Sequence, residues 1–282
     1  MRHLLLLALA TIVLAVLPGW SIADPETSEL ATAPLPEPAE ERFEFYRAVM
    51  DGNVAAIRRL KEHCGENSFR HWLLGAAQVR HYQLNEAAQS FRMSLQLGEI
   101  RALLALAETH FKARNWIEAY AWAQIWVLEH FSPEQIAGGE AEGDPGLYLL
   151  RELLNRLGNR ELQRAESLTE QYIRDWLPQL PEPETYCAIN DGECSGWQPV
   201  HREPPNYPRR MLNRQYQAWV QSIILIGPDG RVDDVEVLFA SRDGFEGPTR
   251  RALERWTFAP PEDHDGQSGA LMTQIIDYEL RR

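Results

Sequence analysis

Three histidines, His63, His71 and His81, stand close together in the first half of this 282-residue chain. Such a group could supply metal ligands or a general base. Their spacings of eight and ten residues do not give the i, i+4 helix face of a His-Glu-x-x-His zinc site, so hydrogen-bonded or solvent-facing rings are expected. His110 and His130 are isolated. Nucleophilic catalysis needs a Ser or Cys beside a base and an orienting acid, and no Gly-x-Ser-x-Gly is present. Gly138-Gly139 lacks the Lys-Ser or Lys-Thr that completes a phosphate cradle. Carboxylates are abundant, but the sequence singles out no pair with opposed protonation. The expectation is a protein that is not an enzyme, with no cofactor and no metal.

The thiols suggest structural chemistry instead. Cys187 and Cys194 flank a loop turned by Asn190-Asp191-Gly192, and in an oxidising compartment they can join as a disulfide. Closing so short a loop would add roughly 2.5 kcal/mol in the chain-entropy account. Two unpaired thiols are the alternative. Cys64 falls in a helical stretch and is expected as a small buried hydrophobe.

The elements that would position a binding site are clearest near the C-terminus. Tyr207-Pro208 opens a short helix from Arg209 to Gln215, with proline at its first position. From Tyr216 to Ile226 apolar residues alternate and then run on, as in a strand buried mainly on one face. Pro228-Asp229-Gly230 reverses the chain, and Val232 to Phe239 returns as an antiparallel partner. A second helix spans Gly247 to Trp256, and Pro260-Pro261 ends it before a last strand from Ala270 to Leu280. The order is helix, strand, strand, helix, strand. This order, together with Tyr207, Pro208, Asp229, Gly230 and the Trp256-x-Phe258-x-Pro260 exit, resembles the TonB C-terminal domain family over residues 198–282. The resemblance implies a small α+β domain with a three-stranded antiparallel sheet. It also implies that Thr273, Gln274, Ile275, Ile276, Asp277 and Tyr278 form a strand edge on which a partner's extended peptide can pair. The chain departs from the family at Pro204, which offers neither an amide nor a side-chain hydrogen bond.

At the other end, Arg2 and His3 precede an apolar run from Leu4 to Leu17, followed by small residues before Ala23 and Asp24. Residues 1–23 therefore read as a signal peptide cleaved between Ala23 and Asp24, which places the protein in the periplasm. An uncleaved inner-membrane anchor is the alternative. The run is short beside the about 20 residues a spanning helix prefers. Residues 24–41 are a Pro-rich acidic linker, able to reach about 50 Å if extended at about 3.1 Å per residue.

Residues 42–180 carry helical periodicity and a 32-residue repeat. Leu74 aligns with Leu106, Gly75 with Ala107, Val79 with Phe111, Leu84 with Trp116, and Glu86-Ala87 with Glu118-Ala119. Small residues at fixed places let paired helices approach, the logic of a solenoid. The segment resembles tetratricopeptide and Sel-type repeats, with an ordinary helical bundle as the alternative. Gly158 is expected to stop one helix and Asn159 to cap the next. Trp116, Trp122 and Trp126 are expected in the core or along a peptide groove. Residues 181–197 form a second linker containing the disulfide.

The chain carries 28 Lys and Arg against 41 Asp and Glu, a net charge of −13. From residue 201 onward the balance is 11 against 13, so −11 of the total falls on the remainder. An acidic helical part excludes nucleic acid, which needs clustered cations. The expected whole is an all-α helical-repeat domain followed by an α+β domain, both binding envelope proteins. The resemblance implies a TonB-dependent outer-membrane receptor as one partner. A scaffold for envelope assembly, or a homodimer through the free edge, is the alternative.

Overall fold

The computed structural model describes residues 34–36, 38–138, 144–175, 196–262, 266 and 269–280. Expectations for Ala23, Asp24, Cys187 and Cys194 fall outside these residues. Among the described residues the first nine helices are α1 Ala39–Met50, α2 Val54–Glu62, α3 Ser68–Arg80, α4 Leu84–Gln96, α5 Ala102–Lys112, α6 Trp116–His130, α7 Pro133–Ala137, α8 Pro145–Leu154 and α9 Asn159–Asp175. The expected linker thus gives its last residues, Ala39 to Glu41, to the first turn of α1. Leu35 packs against the helical core, so part of the Pro-rich stretch has a partner.

The 32-residue register is visible in the backbone. Helices α3 and α5 end at Arg80 and Lys112, and α4 and α6 begin at Leu84 and Trp116. Each turn closes the same way. The amides of Asn53, Gln83 and Asn115 donate five residues back, to the carbonyls of Ala48, Gln78 and His110, at 3.0, 2.8 and 2.9 Å. The residue before each donor is left-handed, with φ of 83° at Gly52, 57° at Tyr82 and 61° at Arg114. Gly75 serves packing: a Cβ there would lie 2.8 Å from the Phe91 ring, so its absence lets α3 and α4 close. Trp122 is fully buried, whereas Trp116 and Trp126 pack against the core from its margin. Asn159 is the first residue of α9 and not its cap; Glu161 reaches back to accept the Gly158 amide at 3.0 Å.

The C-terminal domain contains β1 Gln198–His201, α10 Arg209–Leu212, β2 Ala218–Ile226, β3 Val232–Ala240, α11 Glu246–Leu253, β4 Thr257–Ala259 and β5 Ala270–Tyr278. Its main sheet is antiparallel, in the order β3-β2-β5. A second, two-stranded sheet pairs β1 with β4 and was not anticipated. The Trp-x-Phe-x-Pro segment is therefore strand β4 after a turn, since α11 stops at Leu253. Pro208 stands just before α10, extended at ψ 122°, and that helix stops at Leu212, three residues short of the expected end.

The main sheet has two differently covered faces. Ala218, Val220, Ile224 and Ile226 pack within the domain, against residues such as Phe245, Leu253, Trp256 and Phe258. Trp219, Ile223, Leu225, Leu238, Phe239 and Leu271 instead join the core of the helical array. Strand β3 holds one extra residue opposite Gln221 and Ser222, and this bulge brings the consecutive Leu238 and Phe239 into the same core. Phe239 lies 6.2 Å from the rings of both Trp72 and Phe91 and stacks on Trp219 at 4.9 Å. Ion pairs ring the seam: Arg47 with Asp234, Arg80 with Glu236 at 2.8 Å, and Arg242 with Glu152 at 2.9 Å. The helical array is the sheet's second layer.

Candidate functional site

The candidate site is the outer edge of β5. The Trp219 carbonyl accepts the Ser241 amide at 3.0 Å, and the Trp219 amide donates to Ser241 Oγ at 3.1 Å, so odd-numbered residues of β2 turn their backbone groups toward β3. Even-numbered residues of β2 then face β5, opposite Ala270, Met272, Gln274, Ile276 and Tyr278. It follows that the amides and carbonyls of Leu271, Thr273, Ile275 and Asp277 point away from the sheet. Among the described residues, no backbone group of another element meets them. Of the six residues named from sequence, Thr273, Ile275 and Asp277 carry the outward groups, while Gln274, Ile276 and Tyr278 hold the ladder. Side chains alternate as well: Leu271 and Ile275 lie against the array, and Met272, Ile276 and Tyr278 against the domain's own core.

The opposite edge is closed. On β3 the outward carbonyls of Val235, Val237 and Ala240 receive Arg250, Arg80 and, at 3.4 Å, Lys112. Glu236, buried to 6 % exposure, holds Arg80 at 2.8 Å and Arg250 at 3.5 Å. Cationic side chains on edge carbonyls occupy the sites an added strand would use. Sequence reasoning did not find this cover, because Arg80 and Lys112 come from helices more than a hundred residues away.

The residues that carry the family pattern build the support of β5 rather than its edge. Tyr207 donates its hydroxyl to the Tyr216 carbonyl and sets its ring edge-on to Phe245 and Tyr278, at 5.7 and 5.6 Å. Tyr278 in turn shares a 2.8 Å hydrogen bond with Thr249. Asp229 accepts the Arg231 amide at 3.0 Å, which fixes the hairpin turn. The Gly230 carbonyl takes the Phe258 amide at 2.7 Å, tying that turn to β4. Trp256 donates its indole N–H to the Glu203 carbonyl at 2.9 Å, and Pro260 directly follows β4.

The histidines do not converge. His63, His71 and His81 each sit within hydrogen-bond distance of a backbone carbonyl, of Arg59, Gly65 and Met50 respectively. Cys64 is buried, and burial pushes its thiol up to about 11.

One concavity lies apart from the β5 edge. A cleft of about 470 Å³ opens where the ends of α3 and α5 meet the last residues of β3. Glu108 lines it, and burial pushes its carboxyl from the ordinary 4.5 up to about 7, against the pull of Lys112 and Arg242. Between those values the folded chain keeps a proton that the unfolded chain has released. The contribution of Glu108 to stability therefore falls as pH rises from about 4.5 to about 7. Burial lowers His110 from 6.5 to about 4 and so contributes in the opposite sense over much of this window. The test is the difference in urea unfolding between the parent and Glu108→Gln, in which the parent should lose ground as pH rises through the window.

Among the described residues these features define a small α+β domain with one strand edge closed and one open. Residues 203–280 match the family described as Gram-negative bacterial TonB protein C-terminal, so the C-terminal domain is a TonB C-terminal domain. Protein TonB of Pseudomonas aeruginosa is 32% identical over 74 residues, covering 26% of this chain and 21% of that protein. Protein TonB of Escherichia coli K12 is 33% identical over 74 residues, covering 26% and 31%. Protein TonB of Klebsiella pneumoniae is 29% identical over 87 residues, covering 30% and 34%. The solution NMR structure of the Pseudomonas aeruginosa TonB C-terminal domain is 27% identical, with a TM-score of 0.28, and covers 32% of this chain and 93% of that one. The chain thus spans between 21% and 34% of the length of the three TonB proteins. Among the described residues no helix is long and apolar enough to cross a membrane.

Proposed function

We propose that this chain is a periplasmic binding protein that captures an extended segment of an envelope partner by strand addition at β5, in support of TonB-dependent transport across the outer membrane. The observation that carries this reading is the asymmetry of the sheet, with β3 covered by Arg80, Lys112 and Arg250 and β5 left open among the described residues. In such an addition the backbone hydrogen bonds supply affinity and the alternating side chains supply choice. The similarity to TonB proteins points to the plug segment of a TonB-dependent outer-membrane receptor as the partner. The helical array, read from its repeat as tetratricopeptide-like, supports the far face of the sheet and offers its outer surface to a second envelope protein.

Ile275→Pro tests the proposal. The Ile275 amide points outward, so proline removes an edge donor without breaking the ladder to β2. Binding of a receptor plug peptide, followed by calorimetry, should weaken at least about tenfold, equivalent to about 1.4 kcal/mol. Thr273→Pro, which removes another outward amide, should do the same. Unchanged binding in both variants would contradict the reading. A chain that pairs with its own copy through β5, and dissociates in the same variants, would favour an assembly scaffold.

A further inference from the structure

The cleft beside the far end of β3 has a chemistry of its own, independent of strand addition at β5. Helices α3 and α5 end there and α4 and α11 begin there, so the opposed helix dipoles offset one another. The outward carbonyls of Val237 and Ala240 stand as acceptors at its wall. The chain's own cations respond, Arg80 reaching the Val237 carbonyl and Lys112 the Ala240 carbonyl.

Glu108 is the unusual member. It is 8 % exposed, it lines the cleft, and it makes no hydrogen bond or ion pair with any described residue. The neighbouring cations are engaged elsewhere. Arg242 is paired with Glu152 at 2.9 Å and lies over the Tyr216 ring at 4.2 Å, while Lys112 lies over the Phe239 ring at 5.4 Å. A buried acid without a partner costs stability, and such departures from local rules gather at functional sites.

The walls fit a long cationic side chain. Val79, Leu84 and Phe111 present the apolar surface that an aliphatic stem covers. At the mouth stands Tyr82, 84 % exposed and held in a left-handed turn at φ 57°, with a free aromatic face of the kind that attracts cations. The lining carries the acids Glu108, Asp243 and Glu246 and the cations Arg80, Lys112 and Arg242. Each cation is already held, Arg80 by Glu236, Arg242 by Glu152 and Lys112 by the Ala240 carbonyl, which leaves Glu108 as the unmatched charge.

We propose that this cleft binds a lysine or arginine side chain presented by a protein partner, with the Glu108 carboxylate as its acceptor. The probes are the blocked tripeptides acetyl-Gly-Lys-Gly-amide and acetyl-Gly-Arg-Gly-amide, titrated into the isotope-labelled full chain. Saturable NMR shifts are expected at Glu108, Lys112, Phe239 and Ala240 with at least one of them. The tripeptides with Met or Glu at the centre should give none. Glu108→Gln should weaken the cationic tripeptide at least tenfold while thermal unfolding stays at or above the parent value, which shows that the loss is not a loss of fold. Binding unchanged in Glu108→Gln, binding of the Glu tripeptide instead, or no saturable shift would each overturn the proposal. Ile275→Pro should leave this titration intact, so its outcome is separate from that of the β5 edge.

Discussion

Phe239→Ala is expected to lower the unfolding free energy of the whole chain by about 3–5 kcal/mol, the range for removing a buried aromatic ring. Phe239 is 3 % exposed and belongs to a core that the helical array and the sheet share. Its ring is enclosed by Trp72 of α3, Phe91 of α4 and Trp219 of β2, so truncation opens a void between the two layers and not within one of them. A loss of this size is a large part of the total stability of an ordinary domain, about 5–15 kcal/mol. Urea unfolding read separately at the helices and at the C-terminal tryptophans should give one shared transition in the parent chain. In the variant both probes should shift to lower urea. Two independent transitions in the parent, or a loss under about 1 kcal/mol in the variant, would show that the array and the sheet are separate bodies.

Gly230→Val is expected to be at least as damaging to the C-terminal domain, by about 3 kcal/mol or more. Gly230 sits at φ 81°, where a side chain costs about 1–2 kcal/mol. A Cβ there would also lie 2.1 Å from the Phe258 carbonyl oxygen, a backbone atom that can move only if β4 moves. Shifting β4 breaks the hydrogen bond between the Phe258 amide and the Gly230 carbonyl, a loss of about 1–3 kcal/mol if the groups stay buried. The effect should appear as loss of the near-ultraviolet signal of Trp256 and Trp197, which are buried in one cluster with Phe258, while the α-helical signal of the array persists. A Gly230→Val chain with parental stability would mean that the turn and β4 are not tied as described.

These two positions show how far the sequence could be read. Gly230 was legible because its chemistry is local: Asp-Gly between two apolar runs is a turn whatever surrounds it. Strands β2, β3 and β5 were legible for the same reason, and β5 begins at the expected Ala270. The 32-residue register was legible because small and large residues recur at fixed steps, and the helix ends at Arg80 and Lys112 follow it. Phe239 gave no sign of its role, since its partners Trp72 and Phe91 lie about 150 residues earlier and only the folded chain brings them together. Strand β4 was missed because three residues are too few to show a period, and Trp256 and Phe258 read equally well as the end of a helix. The open edge was named from family resemblance. The closed one depends on Arg80 and Lys112, whose reach to β3 no local pattern encodes.

That asymmetry between the edges is the account's central claim, and amide hydrogen exchange of the full chain, with and without a receptor plug peptide, tests it most directly. In the free chain the outward amides of Thr273, Ile275 and Asp277 should exchange fast while those of Gln274 and Ile276 are protected by β2. Added peptide should slow the three outward amides and leave β3 unchanged. Protection appearing along β3, or outward amides of β5 already protected in the free monomer and unaltered by peptide, would contradict it.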